Sequence, residues 1–182
     1  DIFDLASERE ALFGVFPSDA TEADIRKLTV QHLNAARNAG RETVSSAFAA
    51  EPFGARRTTR AYAWITDCMV RLVFEVATQR LHRLPNPTEG ERLAVLAVGG
   101  YGRREMAPYS DVDLLFLTPY KITAWAESVI ESMLYMLWDL KLKVGHSSRT
   151  VKDCLSMGAE DFTIRTAMLE SRFIIGHAPL SA

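Results

Sequence analysis

Apolar positions follow two regimes along the chain, with the change near residue 88. Before it they recur at three- and four-residue steps, the spacing of one face of an α-helix. Ile25, Leu28, Leu33, Ala36, Val44 and Phe48 form an intermittent stripe. Thr21 can cap that helix at Glu22, and Asp24 suits its positive N-terminal end. Gly40 is expected to break or kink it. Glu51-Pro52-Phe53-Gly54 reads as a turn. Tyr62, Ile65, Met69, Leu72, Val73, Val76 and Leu81 carry a second long stripe, leaving Arg71, Arg80 and Arg83 to solvent. These helices read as a packing layer. The first 20 residues show no clear period.

Residues 85–92, with two prolines and a glycine among charged side chains, read as a linker. Beyond it, Leu93 to Val98 is a short continuous apolar run, the pattern of a strand buried on both faces. Gly99-Gly-Tyr-Gly102 ends it, and residues 103–106 suit a short helical turn. A second strand is expected over Val112–Leu117 and a helix over Thr123–Leu140, with Trp125 and Trp138 in the core. A third strand spans Lys141–Thr150. Short helices run from Val151 to about Leu169, and a last apolar run, Phe173–Ile175, ends in Gly176. Strands alternating with helices indicate an α+β or α/β core after a helical region. The expected division is residues 1–88, helical, and residues 89–182, the core.

Composition narrows the class without naming a function. Of 182 residues, 48% are hydrophobic and 24% charged, with a formal charge of −2. That is ordinary for a globular domain and gives no support for nucleic-acid coating. No apolar run approaches the roughly 20 residues needed to cross a bilayer. Two cysteines, Cys68 and Cys154, do not make a disulfide framework and read as small buried apolar residues. A reducing cytoplasmic setting is the expectation, with no membrane and no nucleic acid as partners. The chain opens at Asp1, as an excised piece of a longer protein would.

The chemistry is concentrated in Ala97 to Phe116. Asp111 and Asp113 stand two residues apart at the leading edge of an expected strand, so both carboxylates share one face. Like charges so placed call for a cation, and magnesium, a hard ion shared with substrate phosphates, is the natural one. Gly99 and Gly100 follow a strand and allow a phosphate close to the backbone N–H groups. Arg103 can contact phosphate through its planar fork. The loop is neither a Walker A motif nor G-x-G-x-x-G. Each element alone is common at strand ends; a glycine pair and Asp-Val-Asp, each after a buried run, make a phosphate-handling layout.

Val98-Gly-Gly-Tyr-Gly-Arg103, Glu105, Pro108 and Ser110-Asp-Val-Asp-Leu-Leu115 resemble the nucleotidyltransferase motif of the bifunctional uridylyltransferase/uridylyl-removing enzyme family, which modifies the nitrogen-signalling protein PII. Leu137-Trp-Asp-Leu140, Lys143 to Thr150 and Leu169-Glu-Ser-Arg-Phe173 extend the likeness, which is specific over residues 93–177. The resemblance implies a DNA-polymerase-β-like fold and transfer of UMP from UTP to a PII tyrosine, with pyrophosphate released and Mg2+ as cofactor. It makes Asp111 and Asp113 the metal-binding catalytic pair, and Gly99, Gly100, Arg103 and Ser110 nucleotide-binding positions. It implies glycine where Arg104 stands; that side chain either adds a phosphate contact or points to solvent. Related adenylyltransferases show an acid-x-Arg pattern like Glu170-Ser-Arg172, so Glu170 is the candidate third carboxylate; otherwise it is a surface glutamate. His146 is a ligand or base, or a hydrogen-bonded strand residue shaping the site. Arg149 holds phosphate, or pairs with Asp139 or Asp153.

Two alternatives stand beside this reading: another nucleotidyltransferase, such as a protein adenylyltransferase, and a non-catalytic nucleotide-binding module. The resembled enzymes are far longer, with a hydrolase region and glutamine-sensing domains. The chain has no His-Asp doublet, so it is expected neither to remove UMP nor to sense glutamine, and its nucleotidyltransferase core is expected to be cut short at the C-terminal side.

Overall fold

A computed structural model describes residues 2–50 and 54–181, apart from the side chains of Glu160, Thr163 and Ala167. The expected turn at Glu51-Pro52-Phe53 lies outside the described residues. The fold is α+β: a mixed four-stranded sheet with helices on both faces.

The N-terminal 20 residues are more ordered than their pattern suggests. Asp4 accepts from the backbone N–H groups of Ala6 and Ser7, both at 3.1 Å, and starts α1, Leu5–Gly14. The missing signal was a cap, not a period. Helix α2, Glu22–Ala50, begins as expected: Thr21 N–H donates to Asp24 Oδ2 (3.0 Å) and Asp24 N–H to Thr21 Oγ1 (3.2 Å). The Thr21 hydroxyl, which donates to Asp24 Oδ2 at 2.6 Å, and then the Thr21 N–H hold the Asp24 carboxyl below its ordinary range. Gly40 does not interrupt α2. A Cβ there would lie 3.2 Å from both the Ile2 carbonyl oxygen and Ile65 Cδ1, so this glycine serves close packing.

Helix α3, Ala55–Val76, is buried nearly all round between Ile65 and Val70 and runs into a π-helical turn, Ala77–Leu81. Arg80 and Arg83 are exposed as expected; Arg71 is half-buried, its guanidinium 5.9 Å from the Trp64 ring. Cys68 and Cys154 are buried free thiols, and burial pushes Cys68 up to about 12.

After the linker come β1, Ala94–Ala97, wholly buried, and α4, the single turn Gly99–Gly102. The helical turn expected at 103–106 thus sits on the glycines themselves. Strand β2 spans Val112–Thr118; α5, Ala124–Asp139, is capped by Thr123 Oγ1 accepting from Ala126 N–H. Then follow β3 (Val144–Thr150), α6 (Val151–Glu160), α7 (Phe162–Leu169) and β4 (Arg172–Gly176). Trp125 is half-buried and donates to the His82 carbonyl at 2.8 Å, but Trp138 is 43% exposed and stands edge-on to Tyr135 rather than in the core.

The strand order is β3-β2-β1-β4, with β1 antiparallel to β2 and β4, and β2 parallel to β3. Val95, Ala97, Val112, Leu114, Phe116 and Ile174 face the large core of α2, α3 and α5. Leu96, Leu115 and Leu117 face a smaller cluster with Cys154 and Met168 of α6 and α7. The large core is continuous across residue 88: α1–α3 precede it and the whole sheet follows it.

Candidate active site

The glycine turn and the aspartates meet at one end of the sheet. Asp111 precedes β2 and is exposed; Val112 turns into the core; Asp113, the first outward position of the strand, is half-buried. Burial, and secondarily the Asp111 charge, raise the Asp113 carboxyl above its ordinary value. The two acids are therefore close enough to repel, as expected from their spacing. Asp113 lies between two glycines. A Cβ on Gly99 would be 3.2 Å from Asp113 Oδ2, and one on Gly145, its register partner on β3, 2.6 Å from Oδ1. Gly99 also has φ +60, which an L side chain takes only under strain.

Gly145 was not among the expected site residues. The signal was available: an isolated glycine in a strand marks a close approach. We predict that Gly145→Ala leaves stability nearly unchanged, because only the tip of Asp113 must move. If Asp113 serves catalysis, the same shift of its carboxylate lowers turnover at least about tenfold. Paired thermal melts and initial rates check both halves.

The turn is anchored from beneath. Tyr101, fully buried, donates its hydroxyl to Asp67 Oδ1 of α3 at 2.7 Å. Arg172 at the start of β4 binds the same carboxylate through both terminal nitrogens, at 2.7 and 3.0 Å. It also donates to the carbonyls of Tyr101 and Gly102, each at 3.3 Å. Burial first, then the Asp67 charge, push the Tyr101 hydroxyl well above its ordinary range, so it stays neutral and donates. Asp67 was also missed. It is the lone charge between Ala61 and Val70, which is the mark of a paired buried acid.

Arg103 and Glu170 sit differently from expectation. Arg103 Nε donates to Glu105 (2.8 Å) and Nη1 to Glu170 (2.7 Å), the Glu105 bond being the first cause of its raised pKa. Only Nη2 faces the glycine turn, 3.8 Å from where a Gly100 Cβ would be. Glu170, between α7 and β4, thus fixes Arg103. Among the described residues no three of His, Cys, Asp and Glu gather closely enough to hold a metal. The β3 position beside Asp113, where a neighbouring-strand acid would stand, is Gly145.

Ser110 closes a turn: its hydroxyl accepts from Ala107 N–H at 2.8 Å, which sets the direction of Asp111. His146 is the register partner of Leu114 and faces α5, on the side of the sheet away from Asp113. It neither ligates at the aspartates nor shapes their site. Arg149, partner of Leu117, shares the Asp113 face.

No family model matches the chain. Curated relatives do. Over 162 residues, 89% of this chain, it is 66% identical to the bifunctional uridylyltransferase/uridylyl-removing enzyme of Ruegeria pomeroyi. The chain resembles a segment of the bifunctional uridylyltransferase/uridylyl-removing enzymes. It is 66% identical over 157 residues to the enzyme so named from Cereibacter sphaeroides, and 44% identical over 155 residues to that from Novosphingobium aromaticivorans. These matches cover 86% and 85% of this chain. The chain spans 17–18% of the length of these relatives.

The departure from the uridylyltransferase pattern at Arg104 has a conformational reading. Its φ is +60, where glycine is at ease, and the side chain is exposed. Arg104→Gly is expected to raise stability by up to about 1 kcal/mol, relief of the left-handed strain outweighing the added freedom of the unfolded chain. Urea denaturation checks this; a drop in stability overturns it.

Proposed function

We propose that this chain carries out uridylyl transfer: UMP moves from UTP to a tyrosine hydroxyl of the signalling protein PII, on a polymerase-β-like core. The observation that carries this reading is the Asp113 carboxylate set between Gly99 and Gly145, with Asp111 beside it. The names of the relatives supply the nucleotide.

Magnesium fits the donor set. Two carboxylates, one of them partly desolvated and repelled by the other, gain from a dication, and a magnesium ion completes its shell with water and phosphate oxygens. When bound it neutralises phosphate charge and acidifies an attacking hydroxyl. The chain's residues do the rest by positioning. Asp111 and Asp113 would hold the ion. The first-turn amides of Gly99 and Gly100 have no acceptor within their own helical turn and are the donors offered to the triphosphate. Arg103, braced by Glu105 and Glu170, offers Nη2 to it. Ser110 keeps Asp111 in place. In the in-line step the tyrosine oxygen gives up its proton to solvent and bonds to the α-phosphorus, the bond to the β-phosphate breaks, and pyrophosphate takes the electron pair.

The test is a panel of UTP, CTP, GTP and ATP labelled at the α-phosphorus, given to the intact protein with PII and magnesium. Label is expected on a PII tyrosine from UTP, and EDTA abolishes it. A preference for ATP points instead to adenylyl transfer. UTP binding without pyrophosphate release points to a non-catalytic module.

A further inference from the structure

Beyond the aspartates, the same face of the sheet opens into a second space. A cavity of about 200 Å³ lies between the sheet and α6–α7. Its walls are Val98 and Leu115 below and Met157, Ile164 and Met168 above, almost wholly apolar. Two polar side chains enter it, Ser147 and Arg149.

Its position follows from strand register. Gly145, Ser147 and Arg149 pair with Asp113, Leu115 and Leu117, so all point to the Asp113 face. Ser147 and Arg149 lie about 7 Å and about 13 Å along the strand from Gly145. That is the order in which ribose and base follow an α-phosphate placed at Asp113. The other wall begins at Val98, the residue before the glycine turn, so the cavity adjoins the turn.

Arg149 is half-buried in this apolar space, and its guanidinium makes no ion pair or hydrogen bond with a described residue. The nearby Asp153 feels its charge, but that carboxylate is taken by the Thr150 N–H at 3.0 Å. A donor-only group left in apolar surroundings is costly unless a ligand supplies acceptors.

We propose that this cavity receives the base of a uridine nucleotide, with Arg149 and Ser147 reading its carbonyl edge. The proposal rests on Asp111 and Asp113 being the transfer site. Uracil presents two carbonyl acceptors on either side of one N–H. Guanidinium donors and a hydroxyl that can accept match that edge. Cytosine places an amine where uracil has a carbonyl, donor facing donor, and adenine does likewise with its amine.

The test uses the intact protein and two readouts: equilibrium binding of UTP and CTP, and kcat/KM for each. Arg149→Met keeps the apolar stem and removes the donors. It is expected to cut the preference for UTP over CTP at least about tenfold, chiefly through KM. Arg149→Lys retains charge without the planar fork and should fall between, which separates lost recognition from lost folding. An unchanged UTP to CTP ratio in Arg149→Met overturns the proposal. So does an equal loss for all nucleotides and for pyrophosphate, which would assign the guanidinium to phosphate. If wild-type protein transfers nothing yet binds UTP over CTP in an Arg149-dependent way, the transfer reading fails and the base site stands.

Discussion

Asp113→Asn is expected to lower UMP transfer at least about a thousandfold, a loss of about 4 kcal/mol of transition-state stabilisation. The amide fills the same slot between Gly99 and Gly145 but brings no charge. The fold should not suffer. Burial and Asp111 already raise the Asp113 carboxyl, so its ionised form is a burden on the metal-free protein. A carboxyl whose pKa is raised by folding costs stability as pH climbs through the ordinary carboxylate range, and the full cost persists above the raised value. Removing the charge should therefore leave the melting temperature at neutral pH equal or higher. Magnesium should stabilise the wild type at neutral pH and lose that effect as pH falls through the raised value, since protons compete for the same oxygens. The asparagine variant should show little of it. Wild-type rates in the variant, or several kcal/mol of lost stability, would sink the catalytic assignment.

Asp67→Ala is expected to be the most damaging substitution for stability, costing about 3–5 kcal/mol. Its side chain is 5% exposed and answers three donors: the Tyr101 hydroxyl and two nitrogens of Arg172, itself 17% exposed. Without it a half-buried guanidinium loses its counter-charge and a buried hydroxyl loses its acceptor. Urea denaturation should show a lower midpoint with an unchanged slope. Tyr101→Phe should cost only about 1 kcal/mol, because the Asp67–Arg172 pair persists. If the glycine turn binds nucleotide, affinity should fall with Asp67→Ala as well, since Arg172 also holds the carbonyls of Tyr101 and Gly102 in that turn. A cost below about 1 kcal/mol would show that the site relaxes around the loss, and would overturn the anchor.

Strands β1 and β2, the long helices and the approximate span of α5 were legible because each rests on local patterning: apolar runs, three- and four-residue steps, and the cap at Thr21. The order in which the strands pair was not, because register depends on contacts distant in sequence. That pairing brings Gly145 beside Asp113, and sends His146 to the opposite face and Arg149 to the same one. Glu170 was legible as an acid near a strand, but its partner, Arg103, lies 67 residues away.

The shared side of Asp111 and Asp113 was written in the chain, since short-range geometry places side chains two residues apart on one strand face whatever surrounds them. Burial decided the rest. Asp67 and Arg172 became an anchor, and Arg149 became a half-buried cation in an apolar cavity, only once helices and sheet had excluded water from them. The energy of a charge depends on its solvent and partners, and those are set by residues far along the chain.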